Sequence, residues 1–223
     1  MSLCGATKIK IILVTGGDIN KGIVAASIAK LVQENGIHIT IIKMDSCLNE
    51  NTTNLKVEKY GEKYVNQDSS TVAVNSGNYE RICDQIFTNK NDITYGKMVE
   101  YVKNNENGDK TYAPINVVQA TIEWIQDIFE HTIDGKNFPK VCLIEYPKMD
   151  GADFLKALTQ LKYDNPFIHI HCSKIVLGKC DSIQKSVENL QNIEWSPDII
   201  ICRSRNPLTE AYKEQNEGKD MLC

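Results

Sequence analysis

Between Lys10 and Gly22 the chain reads KIILVTGGDINKG, which has the parts of a phosphate-binding turn. Gly16 and Gly17 interrupt an apolar run, and Lys21 and Gly22 open a stretch of helical periodicity. A helix N-terminus presents unpaired N–H groups and a partial positive charge. A glycine turn feeding one can therefore cradle a nucleotide's phosphates while the lysine neutralises the outer oxygens. The spacing departs from the working form, which has a glycine directly before the lysine and about four residues between the two glycines. Here Asn20 precedes Lys21, only Asp18, Ile19 and Asn20 separate Gly17 from it, and Asp18 puts negative charge where phosphate would sit.

Other candidates follow the remaining apolar runs, because ligands in open parallel sheets bind beyond the carboxyl ends of the strands. These are Lys43 and Asp45, then Glu145, then Arg203. A lysine, an aspartate and a glutamate converging on a phosphate turn would make a nucleotide and magnesium site, since Mg²⁺ takes one or two carboxylates plus phosphate oxygens. The same positions equally suit ordinary strand-end charges meeting solvent. His169 and His171 alternate with Ile168 and Ile170, so both imidazoles face one side. They could share a metal, but without a carboxylate or third histidine nearby they read as partly buried structural side chains, with Cys172 on the opposite face. No Ser/His/Asp or Cys/His nucleophile arrangement can be argued from the residue order.

The elements that must position these residues are five apolar runs with helical pattern between them: Ile11 to Val14, Ile39 to Ile42, Val141 to Ile144, Phe167 to His171, and Ile199 to Cys202. Near-continuous β-branched runs mark strands buried on both faces. The expected fold class is α/β: a P-loop-type, doubly wound, mainly parallel sheet with helices on both faces. A first helix is expected from Lys21, with Val24, Ile28, Leu31 and Val32 on its buried face and Gly36 as its stop. A second runs through Ile115, Val118, Ile122, Ile125 and Phe129 toward Gly135, and a third through Ile183, Val187, Leu190 and Ile193. From Asn49 to Asp109 the pattern is polar and punctuated by Gly61, Gly77, Gly96 and Gly108, which predicts an insertion-like region of turns and short elements.

At 223 residues the chain suits one large α/β domain, spanning 1–223. A net charge of −4 and a pI near 5.6 offer no basic footprint for nucleic acid or a membrane surface. No run reaches the roughly 18 apolar residues of a spanning helix, and the N-terminus lacks a secretory pattern, so a cytoplasmic location is expected. The eight cysteines are scattered and read as reduced, structural thiols. The Asn51-Thr52-Thr53 glycosylation pattern means nothing without secretion.

Particular strings go further. VTGGDINKGIVAASIAKLV, IIKMD with Asn49 beyond it, YGEKYV from Tyr60, GNYERI from Gly77 and TYGKMVEYV from Thr94 occur in that order. They are followed by Gly108-Asp109, SIQKSVENL from Ser182 and SPDIIICRSRNPL from Ser196. Together they resemble the N-terminal amidoligase (synthetase) domain of CTP synthase over nearly the whole chain. The resemblance implies a P-loop α/β domain that phosphorylates the O4 oxygen of UTP with Mg-ATP, after which ammonia displaces the phosphate to give CTP. It also implies assembly into oligomers, and ammonia supplied by a separate glutaminase domain, which this chain is expected to lack. On the same comparison the chain stops before the synthetase domain's last strand and helix.

Carried over residue by residue, the resemblance assigns Lys21 and Lys43 to catalysis and Gly16, Gly17, Lys21, Gly22, Lys43 and Asp45 to Mg-ATP. It assigns Lys179 and Gln184 to UTP or CTP, and Glu145 to magnesium, with Asn75 standing where a magnesium aspartate is expected. Other departures fall on the same chemistry. The phosphate turn is three residues short, Asp181 replaces a lysine of the UTP motif, and a later nucleotide lysine falls on Gln215. Asn116, Gln119 and Ala120 lie where the family has glutamine, proline and histidine, and YPKMDGAD after Glu145 leaves Asp150 and Asp153 without clear counterparts. An amide brings no charge to Mg²⁺, and a reversed charge beside a triphosphate loses attraction and adds repulsion. The expectation is a CTP synthase-like protein of pyrimidine nucleotide metabolism with lost or impaired catalysis. It would act as an interaction or regulatory homologue, by homo-oligomerisation or by association with an active CTP synthase. The alternatives are an active, ammonia-dependent UTP amidoligase and a dethiobiotin synthetase-like P-loop ligase.

Overall fold

Isoleucine, valine and leucine crowd both sides of the five apolar runs, so each must lie inside a sheet covered on two faces. The computed structural model describes residues 8–16, 21–46, 63–74, 76–106, 116–146, 149–175, 181–204 and 221–222. In chain order the first half holds β1 (Lys10–Gly16), α1 (Lys21–Glu34), β2 (Ile39–Asp45), β3 (Lys63–Val65), β4 (Thr71–Ala73) and α2 (Ser76–Cys83). A short 3-10 turn (Asn89–Asn91) then leads into β5 (Asp92–Thr94) and α3 (Tyr95–Glu106). The second half holds α4 (Val117–Ile128), β6 (Val141–Glu145), α5 (Ala152–Asp164), β7 (Phe167–Lys174), α6 (Asp181–Gln191), β8 (Ile199–Arg203) and β9 (Met221–Leu222).

Seven strands form one sheet in the order β5-β2-β6-β1-β7-β8-β9, and every pairing in it is parallel. The expected α/β, doubly wound architecture is therefore present, with β1 at the centre of the sheet. Alternation along the strands sends successive side chains to opposite faces and builds two cores. On one face Ile11, Leu13, Ile42 and Met44 pack against Ile122 and Ile125 of α4 and Phe154 and Leu158 of α5. On the other, Val14, Ile39, Ile41 and Leu143 pack against Ala25, Ala26 and Ala29 of α1 and Tyr79 of α2.

Some local expectations are corrected. Val24, Ile28 and Val32 of the expected face of α1 pack against the core as partly buried side chains, but the fully buried residues are the small ones, Gly22, Ala25, Ala26 and Ala29, and Leu31 is 66% exposed. Small side chains let the helix lie close to the sheet, with the larger Val24, Ile28 and Val32 flanking that contact. Gly36 does end the helix, at φ +74°. The helix through Ile122 and Ile125 ends at Ile128, well before Gly135. The polar region after Asn49 is not merely insertion-like: its β5 joins the main sheet beside β2, with Asp92 opposite Lys43 and Thr94 opposite Asp45.

Lys97 fastens that edge. It is 4% exposed, and its ammonium donates to Asn89 O, Asn89 Oδ1 (2.7 Å) and Asp92 O (2.6 Å), with the Trp124 ring centroid 4.8 Å away. Burial pulls its pKa down to about 8. Lys97→Met relieves the buried charge but strands three acceptors, a net loss of about 2 kcal/mol. In a domain of this size the melting temperature should fall by roughly 4–8 °C, measurable by calorimetry.

Candidate nucleotide site

Register alone brings two of the candidate residues together. Lys43 on β2 is the lateral partner of Glu145 on β6, and Glu145 is in turn the partner of Val14 on β1. Partners in parallel strands point to the same face, here the face covered by α1 and α2. Asp45 lies two residues further along β2, and Lys21 opens α1 above the same strand ends.

Glu145 is 2% exposed, and its carboxylate accepts a hydrogen bond from the hydroxyl of Tyr79 on α2. Tyr79 is itself 2% exposed and is held edge-on by Phe87, with ring centroids 6.1 Å apart. Burial raises the Glu145 pKa, Lys43 and Lys21 oppose the rise, and Asp45 adds to it. Lys21, Lys43, Asp45 and Glu145 thus form one electrostatic cluster. Tyr79→Phe leaves a buried acceptor without its donor and should lower the urea midpoint by an amount worth about 1–2 kcal/mol, with an unchanged denaturant slope.

Gly16 ends β1 at φ +144°, and a Cβ there would stand 2.1 Å from the carbonyl oxygen of Cys172. Only glycine lets the end of β1 lie this close to β7. The Cys172 thiol lies on the α1 face, where burial pushes its pKa to about 11 while Lys21 and Arg203 oppose the rise. Arg203, at the end of β8, therefore belongs to the same basic rim as Lys21.

The opposite face of the same strand ends carries the two histidines. Thr15 Oγ1 lies 2.8 Å from His169 Nε2 and 2.9 Å from His171 Nδ1, and His171 Nε2 lies 2.8 Å from Ser186 Oγ on α6. Both imidazoles are buried, at 0% and 3% exposure. Burial holds both pKa values down to about 4, with Lys21 adding to the effect at His171. They are neutral, hydrogen-bonded side chains of the interior.

The remaining candidates distribute as follows. Gly22 is buried in the first turn of α1, and Gln184 is exposed on α6, whose first residue is Asp181. Gly17, Asn75, Lys179 and Gln215 lie outside the described residues. Asp150 accepts from Ser46 Oγ at 2.6 Å and Asp153 from Tyr95 Oη at 3.4 Å, so these two carboxylates bond to other segments. Among the described residues, no group of three His, Cys, Asp or Glu side chains is placed to hold a metal. The cluster fits a polyphosphate better than it fits Mg²⁺: Lys21, Lys43 and Arg203 supply positive charge, while the Glu145 carboxylate is enclosed and bonded to Tyr79. Sequence reasoning found Lys21, Lys43, Asp45, Glu145 and Arg203 by their strand-end positions. It missed Tyr79 as the partner of Glu145, although GNYERI had been singled out, and it missed Ser186, which no periodicity marks.

The family model described as CTP synthase N-terminus matches residues 10–217. CTP synthase 2 of Mus musculus is 34% identical over 228 residues, covering 92% of this chain and 39% of that protein. CTP synthase 1 of Homo sapiens is 34% identical over 229 residues, and CTP synthase of Drosophila melanogaster 31% over 227, with 39% and 36% of those proteins covered. The chain thus spans under two fifths of the length of these curated relatives. Among solved structures, the signal recognition particle receptor FtsY from Elizabethkingia anophelis in complex with GDP gives a TM-score of 0.46 at 8% identity. That alignment covers 90% of this chain and 51% of the other, too remote a likeness to bear on function. No helix among the described residues is long and apolar enough to cross a membrane.

Proposed function

The chain belongs to the CTP synthase N-terminal family, and from that premise we propose that it is a homologue of impaired or lost catalysis that acts by association, with copies of itself or with an active CTP synthase. The family reaction is the Mg-ATP-dependent amination of UTP to CTP. Positive charge stands at Lys21, Lys43 and Arg203, and the triphosphates of ATP and of UTP or CTP are the ligands such charge suits.

The observation that carries the reading is the state of Glu145. A magnesium carboxylate works ionised and open to the ion, whereas this one is buried and bonded to Tyr79, and burial raises its pKa above the usual carboxylate value. The chain's own residues can still bind and orient phosphate oxygens: Lys43 neutralises charge beside Glu145, and Lys21 does so at the N-terminus of α1. With Asn75 and Asp181 at positions where the family resemblance expects an acid and a base, charge is wrong at both the metal and the pyrimidine side.

The test has two arms. Isothermal calorimetry with Mg-ATP, UTP and CTP should give weak binding, and sedimentation of the chain alone and mixed with an active CTP synthase should give complexes. A chain that remains monomeric and ignores the active enzyme ends the association half of the reading. A second reading, an active ammonia-dependent UTP amidoligase, is favoured by one observation: Lys21, Lys43 and Asp45 still converge on Glu145. No observation favours a dethiobiotin synthetase-like ligase.

A further inference from the structure

The nucleotide reading leaves the two imidazoles on the far face of β1 and β7 without a role, yet they occupy a particular place. Thr15 stands one residue before the glycine that ends β1, next to the sequence segment assigned to phosphate. Ser186 stands on the helix that carries Gln184, two residues away and assigned to the pyrimidine nucleotide. Between them lies a single side chain, His171, whose Nδ1 is 2.9 Å from Thr15 Oγ1 and whose Nε2 is 2.8 Å from Ser186 Oγ.

We infer that His171 is a positioning residue: by bridging Thr15 and Ser186 it ties the phosphate-turn end of β1 to α6, so that the two segments assigned to the two triphosphates hold one relative position. The purpose of the tether rests on the nucleotide-site reading; the tether itself does not.

The hydrogen-bond directions are mutually consistent. His169 Nδ1 is buried without a well-formed hydrogen bond, and the Ser196 backbone is the group that favours a proton on this ring. With the proton on Nδ1, His169 Nε2 accepts from the Thr15 hydroxyl, since that nitrogen lies 2.8 Å away. Thr15 Oγ1 then accepts from His171 Nδ1–H, and His171 Nε2 accepts from the Ser186 hydroxyl. Each hydroxyl proton is used once and no nitrogen in the bridge is asked to donate twice. Both rings are neutral, as this scheme needs, because burial holds their pKa values near 4. Edge-on packing of Trp195, 5.9 Å from His169 between ring centroids, and the backbone bond from His169 N–H to Asp198 Oδ2 (2.7 Å) fix the anchor end. A side chain so held transmits displacement instead of absorbing it.

Native-state amide exchange on the whole chain tests the tether without any ligand. Thr15→Val is nearly isosteric and cuts the bridge at β1, while Ser186→Ala cuts it at α6. Each should speed exchange at the far end, Thr15→Val in α6 and Ser186→Ala at Gly16 and the first turn of α1, by roughly fivefold, the equivalent of one net hydrogen bond. His171→Asn keeps a polar atom at the Nδ1 position and should behave like Ser186→Ala. His171→Gln keeps one at the Nε2 position and should behave like Thr15→Val. Acceleration confined to the substituted end in both Thr15→Val and Ser186→Ala would overturn the inference. In a second arm, Mg-ATP should slow exchange in α6 of the unsubstituted chain and not in Ser186→Ala. If Mg-ATP alters exchange nowhere, the nucleotide-site reading fails, and the ligand-free comparison still decides the tether.

Discussion

Asp181→Lys is expected to tighten UTP binding by about a hundredfold. The exchange alters the charge by two units, and through an effective dielectric of about 20 each unit is worth roughly 1.5 kcal/mol at about 10 Å from a phosphate charge. The sum, about 3 kcal/mol, corresponds to two decades of affinity. Asp181→Asn removes the repulsion without adding attraction and should give about one decade. Calorimetric titration with UTP measures both, and a change of less than about twofold in each would remove Asp181 from the nucleotide's surroundings. Adding Asn75→Asp should then make ATP binding depend on Mg²⁺, because a formal negative charge replaces an amide where the family resemblance expects a magnesium aspartate. These substitutions restore charge, so they separate a site lost through side chains from one lost through the shortened phosphate turn.

Acid should unfold this domain earlier than its carboxylates alone predict. His169 and His171 carry folded pKa values of about 4, against an ordinary value near 6.5. Between those limits the unfolded chain binds protons that the folded chain refuses. Stability is therefore full above pH 6.5 and is lost as pH falls toward 4, by on the order of 2–3 kcal/mol for each imidazole. Glu145 works in the opposite direction: its raised pKa lets the folded chain take up a proton early, and that returns part of the loss. The net expectation is a urea midpoint that drops steeply between pH 6.5 and 4.5. His171→Gln removes one of the two titrations and should reduce that drop by about half. A flat midpoint across this range would mean that the two rings are protonated in the folded state.

The fold was legible because burial on both faces of a parallel sheet writes itself as unbroken apolar runs. Ile11 to Val14 and Val141 to Ile144 admit no other reading, and each strand was found within three residues of its observed ends. β5 was not legible, since a three-residue edge strand, Asp92 to Thr94, carries too little pattern, and its identity as a strand comes from pairing with β2. On α1 the apolar pattern found the flanking residues Val24, Ile28 and Val32 but misplaced Leu31 and passed over the centre of the contact. Close helix-to-sheet packing selects alanine and glycine, which a search for large apolar side chains passes over. At the candidate site the strand-end rule located Lys43, Asp45, Glu145 and Arg203 from position alone. What it could not supply was the partner of each. Tyr79 meets Glu145 across 66 residues and Ser186 meets His171 across 15, and such contacts are products of the fold.

The central claim is that the family's nucleotide charge persists while its chemistry does not. CTP formation from UTP, Mg-ATP and ammonium chloride tests it most directly, with an active CTP synthase assayed alongside. Ammonium as the nitrogen source removes any need for glutaminase activity. The account predicts no CTP above the enzyme-free control from this chain. Sustained CTP formation by the purified chain, abolished by Lys43→Ala, would contradict it and establish the ligase reading instead.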